Sequence, residues 1–233
     1  RHAHKGGAVI RVELRPLAPS DSLEALTALL HRAYARLGAM GLNYTAVDQS
    51  VDDTARRFAS GHGFVAEQDG VIIGTVVVNG PLDADEKPDA RACAWYLRRD
   101  VAHLHQLGVE PAAQGQGTGP ALIAACERWA VDQGFRAMAL DTAMPATHLR
   151  RCYAALGYAE VGDVQWSGKR YRTVIMVKPL SGEAPTADDN EHRCALVRAL
   201  WAHVQARDWA AMRAAFADDV VTQWPVTGEC FDG

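Results

Sequence analysis

Residues 103–141 read HLHQLGVEPAAQGQGTGPALIAACERWAVDQGFRAMALD, and their reading decides the fold. Leu104, Leu107 and Val109 mark a strand, and Pro111 ends it because proline has no N–H for a ladder. Gln114 to Gly119 follows as a turn with glycines at 115, 117 and 119. From about 118 to 133, Leu122, Ala125, Cys126 and Trp129 recur at helical spacing, and Gly134 stops the helix. Ala137 to Leu140 is a short apolar strand. A glycine turn opening a helix gathers unpaired backbone N–H groups at the positive end of the helix dipole. That is an anion site suited to a diphosphate, provided no bulky side chain blocks the approach. The absence of Gly-Lys-Ser/Thr disfavours a nucleoside-triphosphate loop, and the glycine spacing is a poor fit to a dinucleotide fingerprint. The plainer alternative is a capping turn with no ligand.

Outward from this stretch the chain alternates strands and helices. Residues 8–14 read as a first strand, closed by Pro16 and Pro19; Ser20 or Asp21 can cap a helix that runs to about Leu37 on Leu23, Leu26, Leu29, Leu30 and Ala33. Residues 38–50 are a loop, and 52–60 a second short helix. Gln68-Asp69-Gly70 joins residues 63–67 to 71–78 as a hairpin, since Asp-Gly between β-rich runs suits a tight turn. Residues 81–92 are polar and acidic, a surface loop whose charge could also attract an amine. Beyond Asp141 come a turn, a helix over about 146–156 with Gly157 as its C-terminal glycine, and a hairpin of residues 159–164 and 171–177 joined by Ser167-Gly168. The expected class is therefore α/β (α+β): a mixed central sheet flanked by helices.

Val109, Pro111 and Gln114-Gly115-Gln116-Gly117-Thr118-Gly119 resemble the acyl-CoA signature of the GNAT N-acetyltransferase family, Gln/Arg-x-x-Gly-x-Gly/Ala after a strand ending Val-x-Pro. Tyr153-Ala154-Ala155-Leu156-Gly157-Tyr158 is similar to that family's Tyr-x-x-x-Gly-Phe/Tyr helix end, in the family's order and at a normal separation. The resemblance spans about Val9 to Leu180. It implies acetyl-CoA as cosubstrate, its diphosphate on Gln114, Gly115, Gln116, Gly117, Thr118 and Gly119. Leu107, Gly108 and Val109 would pair with the pantetheine amides as a neighbouring strand does, the Val109 N–H serving as oxyanion donor. Where the family often carries Asn seven residues before the Tyr, this chain has Ala146, which leaves one contact to the cofactor arm in doubt.

An ammonium has no lone pair, so an amine acceptor needs a base, and imidazole titrates near neutrality. His103 and His105 lie two apart on the central strand and so share a face, which Leu107 and Val109 continue toward the turn. The run Ala102-His103-Leu104-His105 is similar to the arylalkylamine N-acetyltransferases, where paired strand histidines relay the amine proton through water. The resemblance makes both histidines general-base candidates; the alternative is two histidines satisfied in or beside a core. The departing thiolate leaves faster if protonated, and Tyr153 stands where the family's tyrosine does that work. In the resembled fold the helical pair, to about Leu37 and over 52–60, forms one wall of the acceptor pocket, which nominates Asn43 and Tyr44, with Leu42, as substrate contacts; the alternative is an ordinary packed loop with a surface tyrosine. The expected reaction is acetyl transfer to a primary amine of a small molecule by direct attack. A non-catalytic acyl-CoA or ligand-binding module, or an acetyltransferase of protein amino groups, is the alternative.

Composition sets outer bounds. The chain has 233 residues, 48% hydrophobic and 22% charged, with net charge −4, the balance of a globular protein with no basic face for nucleic acid or a membrane surface. Five scattered cysteines without CxxC spacing read as reduced thiols, with no metal site, and suggest a cytoplasmic protein, possible as a homodimer. Residues 1–7 read as a leader or tag remnant, 8–180 as the acetyltransferase domain and 181–190 as a small, acidic linker. Residues 191–233 change pattern: helical spacing through Leu196, Leu200 and Trp201, a second helix from Asp208-Trp209, then a turn toward a strand. This segment resembles the opening of SnoaL-like domains, which need about twice this length to close a core, so either the domain is truncated or the segment packs on the acetyltransferase domain or a second subunit.

Overall fold

The computed structural model describes residues 12–82 and 93–180, with 202–203, 206, 208–214, 221–223 and 230–232 beyond them. Residues 8–11 of the expected first strand, the acidic loop over 83–92 and the linker over 181–190 lie outside the described residues. Contacts divide the chain into two units, residues 1–181 and 182–233.

In the first unit, β1 (Val12–Pro16), β2 (His62–Gln68), β3 (Val71–Asn79), β4 (Val101–Val109), β5 (Ala137–Ala143), β6 (Ala159–Val164) and β7 (Thr173–Pro179) form one seven-stranded sheet in the order β1-β2-β3-β4-β5-β7-β6. The helices are α1 (Leu23–Ala39), α2 (Val51–Ala59), α3 (Thr118–Asp132) and α4 (Thr147–Ala155). β4 and β5 run parallel, and the other neighbours are antiparallel. The sheet is mixed because α3 carries the chain across from β4 to β5, as a parallel pair requires.

Local chemistry explains the breaks between elements. Asp69 and Gly70 both sit at positive φ, 53° and 77°, as the two-residue turn between β2 and β3 demands. Ser50 caps α2 through a reciprocal box with Asp53. α3 and α4 both end on a left-handed glycine, Gly134 and Gly157. After α4, Gly157 N donates to Ala154 O at 3.0 Å and Tyr158 N to Tyr153 O at 3.1 Å, which closes its last carbonyls.

Each face of the sheet has its own core. Val76, Val78, Ala102, Leu104, Val109, Met138 and Leu140 pack with Leu122, Ile123 and Cys126 of α3. On the opposite face Val65 and Val77 pack with Leu26 and Leu30 of α1 and Phe58 of α2. Leu122 is fully buried. Leu122→Ala should cost about 3 kcal/mol of unfolding free energy, the usual range for a core leucine that leaves a cavity, measurable by urea titration.

In the second unit, α5 (Trp209–Ala214) precedes an antiparallel pair, β8 (Val221–Gln223) and β9 (Cys230–Asp232). Asp208 Oδ1 accepts from Ala211 N at 3.0 Å and so caps α5.

Candidate functional site

The site forms where β4 and β5 part. Their ladder is registered from Val101↔Ala137 to Leu104↔Leu140, after which β5 continues against β7 as far as Ala143. Residues 105–109 of β4 therefore border a gap on the β5 side. Glu110 N donates to Ile73 O at 2.8 Å, so strand alternation turns the Val109 N–H toward that gap. An extended chain carrying amides could pair there as an added strand does.

Below the gap, residues 111–113 make a short 3-10 turn and Gly115 and Gly117 take φ of 76° and 90°, a region open to glycine at little cost. Gly117 is the N-cap of α3 with no side-chain cap, and Ala121 N bonds Gly117 O at 3.0 Å. Pro120 has no N–H, so the first turn offers Thr118 and Gly119 as donors without a helical partner. Gln114 and Gln116 are spent on the loop itself: their side-chain amides donate to Val109 O at 3.0 Å and Ala112 O at 2.9 Å. Gly119 has ordinary φ, and the nearest atom to a Cβ built there is a Val109 methyl at 3.9 Å. The fold does not require glycine at 119. Close approach of a ligand gives it a reason.

The expected histidine face is corrected by a bulge. Gln106 lies at φ 55°, and the β3–β4 register shifts between Thr75 and Val77. The extra residue reverses the alternation. Leu107 and Val109 pack with the α3 core, and a Cβ at Gly108 would meet Leu29 and Leu30 of α1. His105, paired with Val77, faces the α1 side, so Gly108, and neither Leu107 nor Val109, continues the histidine face. A buried amide network holds the bulge: Gln49 and Gln106 exchange hydrogen bonds at 3.0 and 3.1 Å, and Gln49 also donates to Thr54 Oγ1 at 2.7 Å.

At the gap a cavity of about 690 Å³ opens, lined from both faces of the sheet. His103, His105, Leu107, Tyr153 and Tyr44 all line it. The two histidines differ. His103 is 4% exposed, with its ring edge-on to Tyr96 at 4.5 Å. Its Nε2 lies 3.0 Å from Tyr96 O, and because a carbonyl only accepts, Nε2 carries a proton. His105 is half-buried on the cavity wall. Burial pushes the Tyr153 hydroxyl well above the usual tyrosine value, which keeps it a proton donor.

The acceptor contacts expected at residues 42–44 also divide. The Tyr44 hydroxyl accepts from Ala143 N at 2.7 Å and lies 2.9 Å from Thr142 Oγ1, which fixes its ring on the cavity wall between Tyr34 and Tyr171. Leu42 is buried in a core cluster with Leu37 and Tyr171. The Asn43 side chain donates to Gly168 O at 2.8 Å and accepts from Arg170 N at 3.0 Å, and so ties two loops together. Ala146, in place of the family's Asn, is fully buried in the same cluster as Leu42.

Sequence reasoning missed Asp141. It lies within β5, and both carboxylate oxygens are used, Oδ1 by the Tyr96 hydroxyl at 2.8 Å and Oδ2 by Trp166 Nε1 at 3.1 Å. Burial raises its pKa, with those two hydrogen bonds opposing. An acid directly after the apolar run Ala137-Met138-Ala139-Leu140 was the available signal, since a buried carboxylate needs partners.

The parallel pair forks beside a glycine turn that leads to a helix N-terminus, and Tyr153 lines the cavity at the fork. The family model described as Acetyltransferase (GNAT) family matches residues 30–158 of the 233, and the chain belongs to that family. It is 30% identical over 122 residues to the probable N-acetyltransferase family 8 member 5 of Mus musculus, with 49% of each chain covered. It is 26% identical over 166 residues to the S-(2-succino)cysteine N-acetyltransferase of Bacillus subtilis, covering 70% of this chain and 94% of that one. The chain thus spans about half the length of the first relative and nearly all of the second. Among solved structures, the ribosomal-protein-S18-alanine N-acetyltransferase from Escherichia coli shares the fold at TM-score 0.55 and 18% identity, over 76% of this chain and 98% of that one.

Proposed function

We propose that this chain transfers an acetyl group from acetyl-CoA to a primary amine of a small molecule, by direct attack without a covalent enzyme intermediate. The observation that carries this reading is the gap between β4 and β5, which opens into an aromatic cavity with His105 and Tyr153 on its wall. Acetyl-CoA, when bound, supplies the acetyl group as a thioester. The N–H groups of Gly115, Gln116, Gly117, Thr118 and Gly119 hold its diphosphate, and the open edge of Leu107, Gly108 and Val109 holds its amide arm. His105 takes the proton that the ammonium must lose; both histidines line the cavity, and His105 is the more exposed of the two. His103, tied to Tyr96 O, is a positioning residue. The Val109 N–H offsets negative charge on the carbonyl oxygen as the C–N bond forms. Tyr153 gives its proton to the departing sulfur as the C–S bond breaks.

His105→Ala should lower kcat/KM by about 100-fold at neutral pH, with the deficit narrowing as pH rises and more free amine exists. His103→Ala should act mainly on stability, by about 2 kcal/mol, through loss of a buried ring and its hydrogen bond. A pH profile of kcat/KM with paired thermal melts checks both. Unchanged kcat/KM in His105→Ala removes the base assignment.

The finer resemblances are proposals as well. The arylalkylamine-like relay draws support from both imidazoles lining one cavity. A SnoaL-like opening in residues 191–233 draws support from α5 followed by the β8–β9 pair.

A further inference from the structure

We propose that the acceptor amine also carries a carboxylate, which binds between Arg57 and Lys169 on the cavity wall. This deepens the transferase reading above and rests on it. Arg57 on α2 and Lys169 in the β6–β7 connection both line the cavity. The Arg57 Nε is buried without a hydrogen-bond partner. Lys169 Nζ donates to two neutral oxygens, Asn43 O at 2.8 Å and Thr45 Oγ1 at 3.0 Å. Asp141, the acid facing them, already has both oxygens engaged by Tyr96 and Trp166. Asp53 and Arg56 at the rim pair with each other. Among the described residues, Asp141 and Asp53 are the acids that act on Arg57, and Asp141 and Asp48 those that act on Lys169, yet neither cation is in an ion pair with any of them, so each holds a charge without an ion-pair partner.

Such a charge is costly in a half-buried wall unless an anion arrives with the ligand. Desolvation depresses both basic groups, and Arg57 further depresses Lys169, so the two are close enough to repel. A bound carboxylate would relieve both costs at once, and the planar guanidinium suits it as a two-pronged donor. The rings of Tyr34, Tyr44 and Tyr171 leave an apolar surface for the rest of the acceptor. A polycation such as an aminoglycoside or polyamine would meet repulsion at the same place.

The test uses matched pairs that differ by one carboxylate: L-phenylalanine and phenethylamine, L-methionine and 3-(methylthio)propylamine, 4-aminobutyrate and butylamine. Thiol release from acetyl-CoA gives kcat/KM for each, in the full chain and in Arg57→Gln and Lys169→Met. For at least one pair, the acid-bearing member should exceed its partner roughly 10- to 100-fold, and that advantage should shrink in both variants. Calorimetry with N-acetyl-L-phenylalanine and N-acetylphenethylamine reads the anion site without turnover, in the unsubstituted protein, so a poorly folding variant does not block the test. Tighter binding of the acid supports the site even if no amine is acetylated, an outcome that would defeat only the transferase reading. Equal or weaker binding of the acid, or an advantage that survives both substitutions, overturns the proposal.

Discussion

Gly119→Glu should abolish measurable acetyl-CoA binding while leaving the melting temperature unchanged or slightly raised. The two effects separate because of where residue 119 sits. Its backbone has ordinary φ, and an added Cβ meets nothing nearer than a Val109 methyl at 3.9 Å, so the chain accepts a side chain there. It is the second residue of α3, where a carboxylate is favoured by the helix dipole and replacing glycine adds helix propensity. The same carboxylate would occupy and repel the place of a diphosphate. Loss of about 100-fold in affinity or more, about 2.7 kcal/mol, is expected by calorimetry. Gly115 and Gly117 are poorer probes, because their positive φ would add backbone strain to any loss of binding. If Gly119→Glu binds acetyl-CoA as the parent does, the diphosphate does not sit at this turn.

Tyr153→Phe should lower kcat by about 100-fold with acetyl-CoA affinity unchanged, the pattern of a lost proton donor rather than a lost contact. The ring packs against the α3-side core, which phenylalanine preserves, so the fold should tolerate the change. Because burial raises the Tyr153 pKa, the hydroxyl stays protonated through the usual tyrosine range. The sign follows: the donor form dominates at low pH and is lost only as pH rises through the raised value. The parent kcat should therefore not fall on approach to pH ~10, the ordinary tyrosine value. Stopped-flow thiol release in parent and variant measures both effects. A variant as fast as the parent would reassign the proton to water or to another group.

Most of the framework was legible because it rests on local chemistry. Asp69-Gly70 specifies its turn, Gly134 and Gly157 specify helix ends, and the spacing of Leu122, Ala125, Cys126 and Trp129 specifies α3. Three features of the site were not, for separate reasons. The bulge at Gln106 has no compositional mark, since a left-handed glutamine between His105 and Leu107 looks like an ordinary strand position. Its cause is a distant partner, Gln49, 57 positions away. The clasp at Asn43 was hidden because an exposed loop amide can serve equally as a ligand contact, and only the fold brings Gly168 and Arg170 to it. The division between His103 and His105 depends on Tyr96, which period-two reasoning about one strand does not include. Alternation along a strand predicts faces well until a residue is inserted, and here the insertion lies beside the chemistry.

Thiol release from acetyl-CoA, with and without a panel of primary amines, separates a working transferase from a protein that merely holds the thioester. Release should depend on the amine, and mass spectrometry should find one N-acetyl product for each thiol freed. Tight acetyl-CoA binding with no amine-dependent release across carboxylated, aromatic and polycationic amines would contradict the assignment and leave a non-catalytic acyl-CoA-binding module in its place.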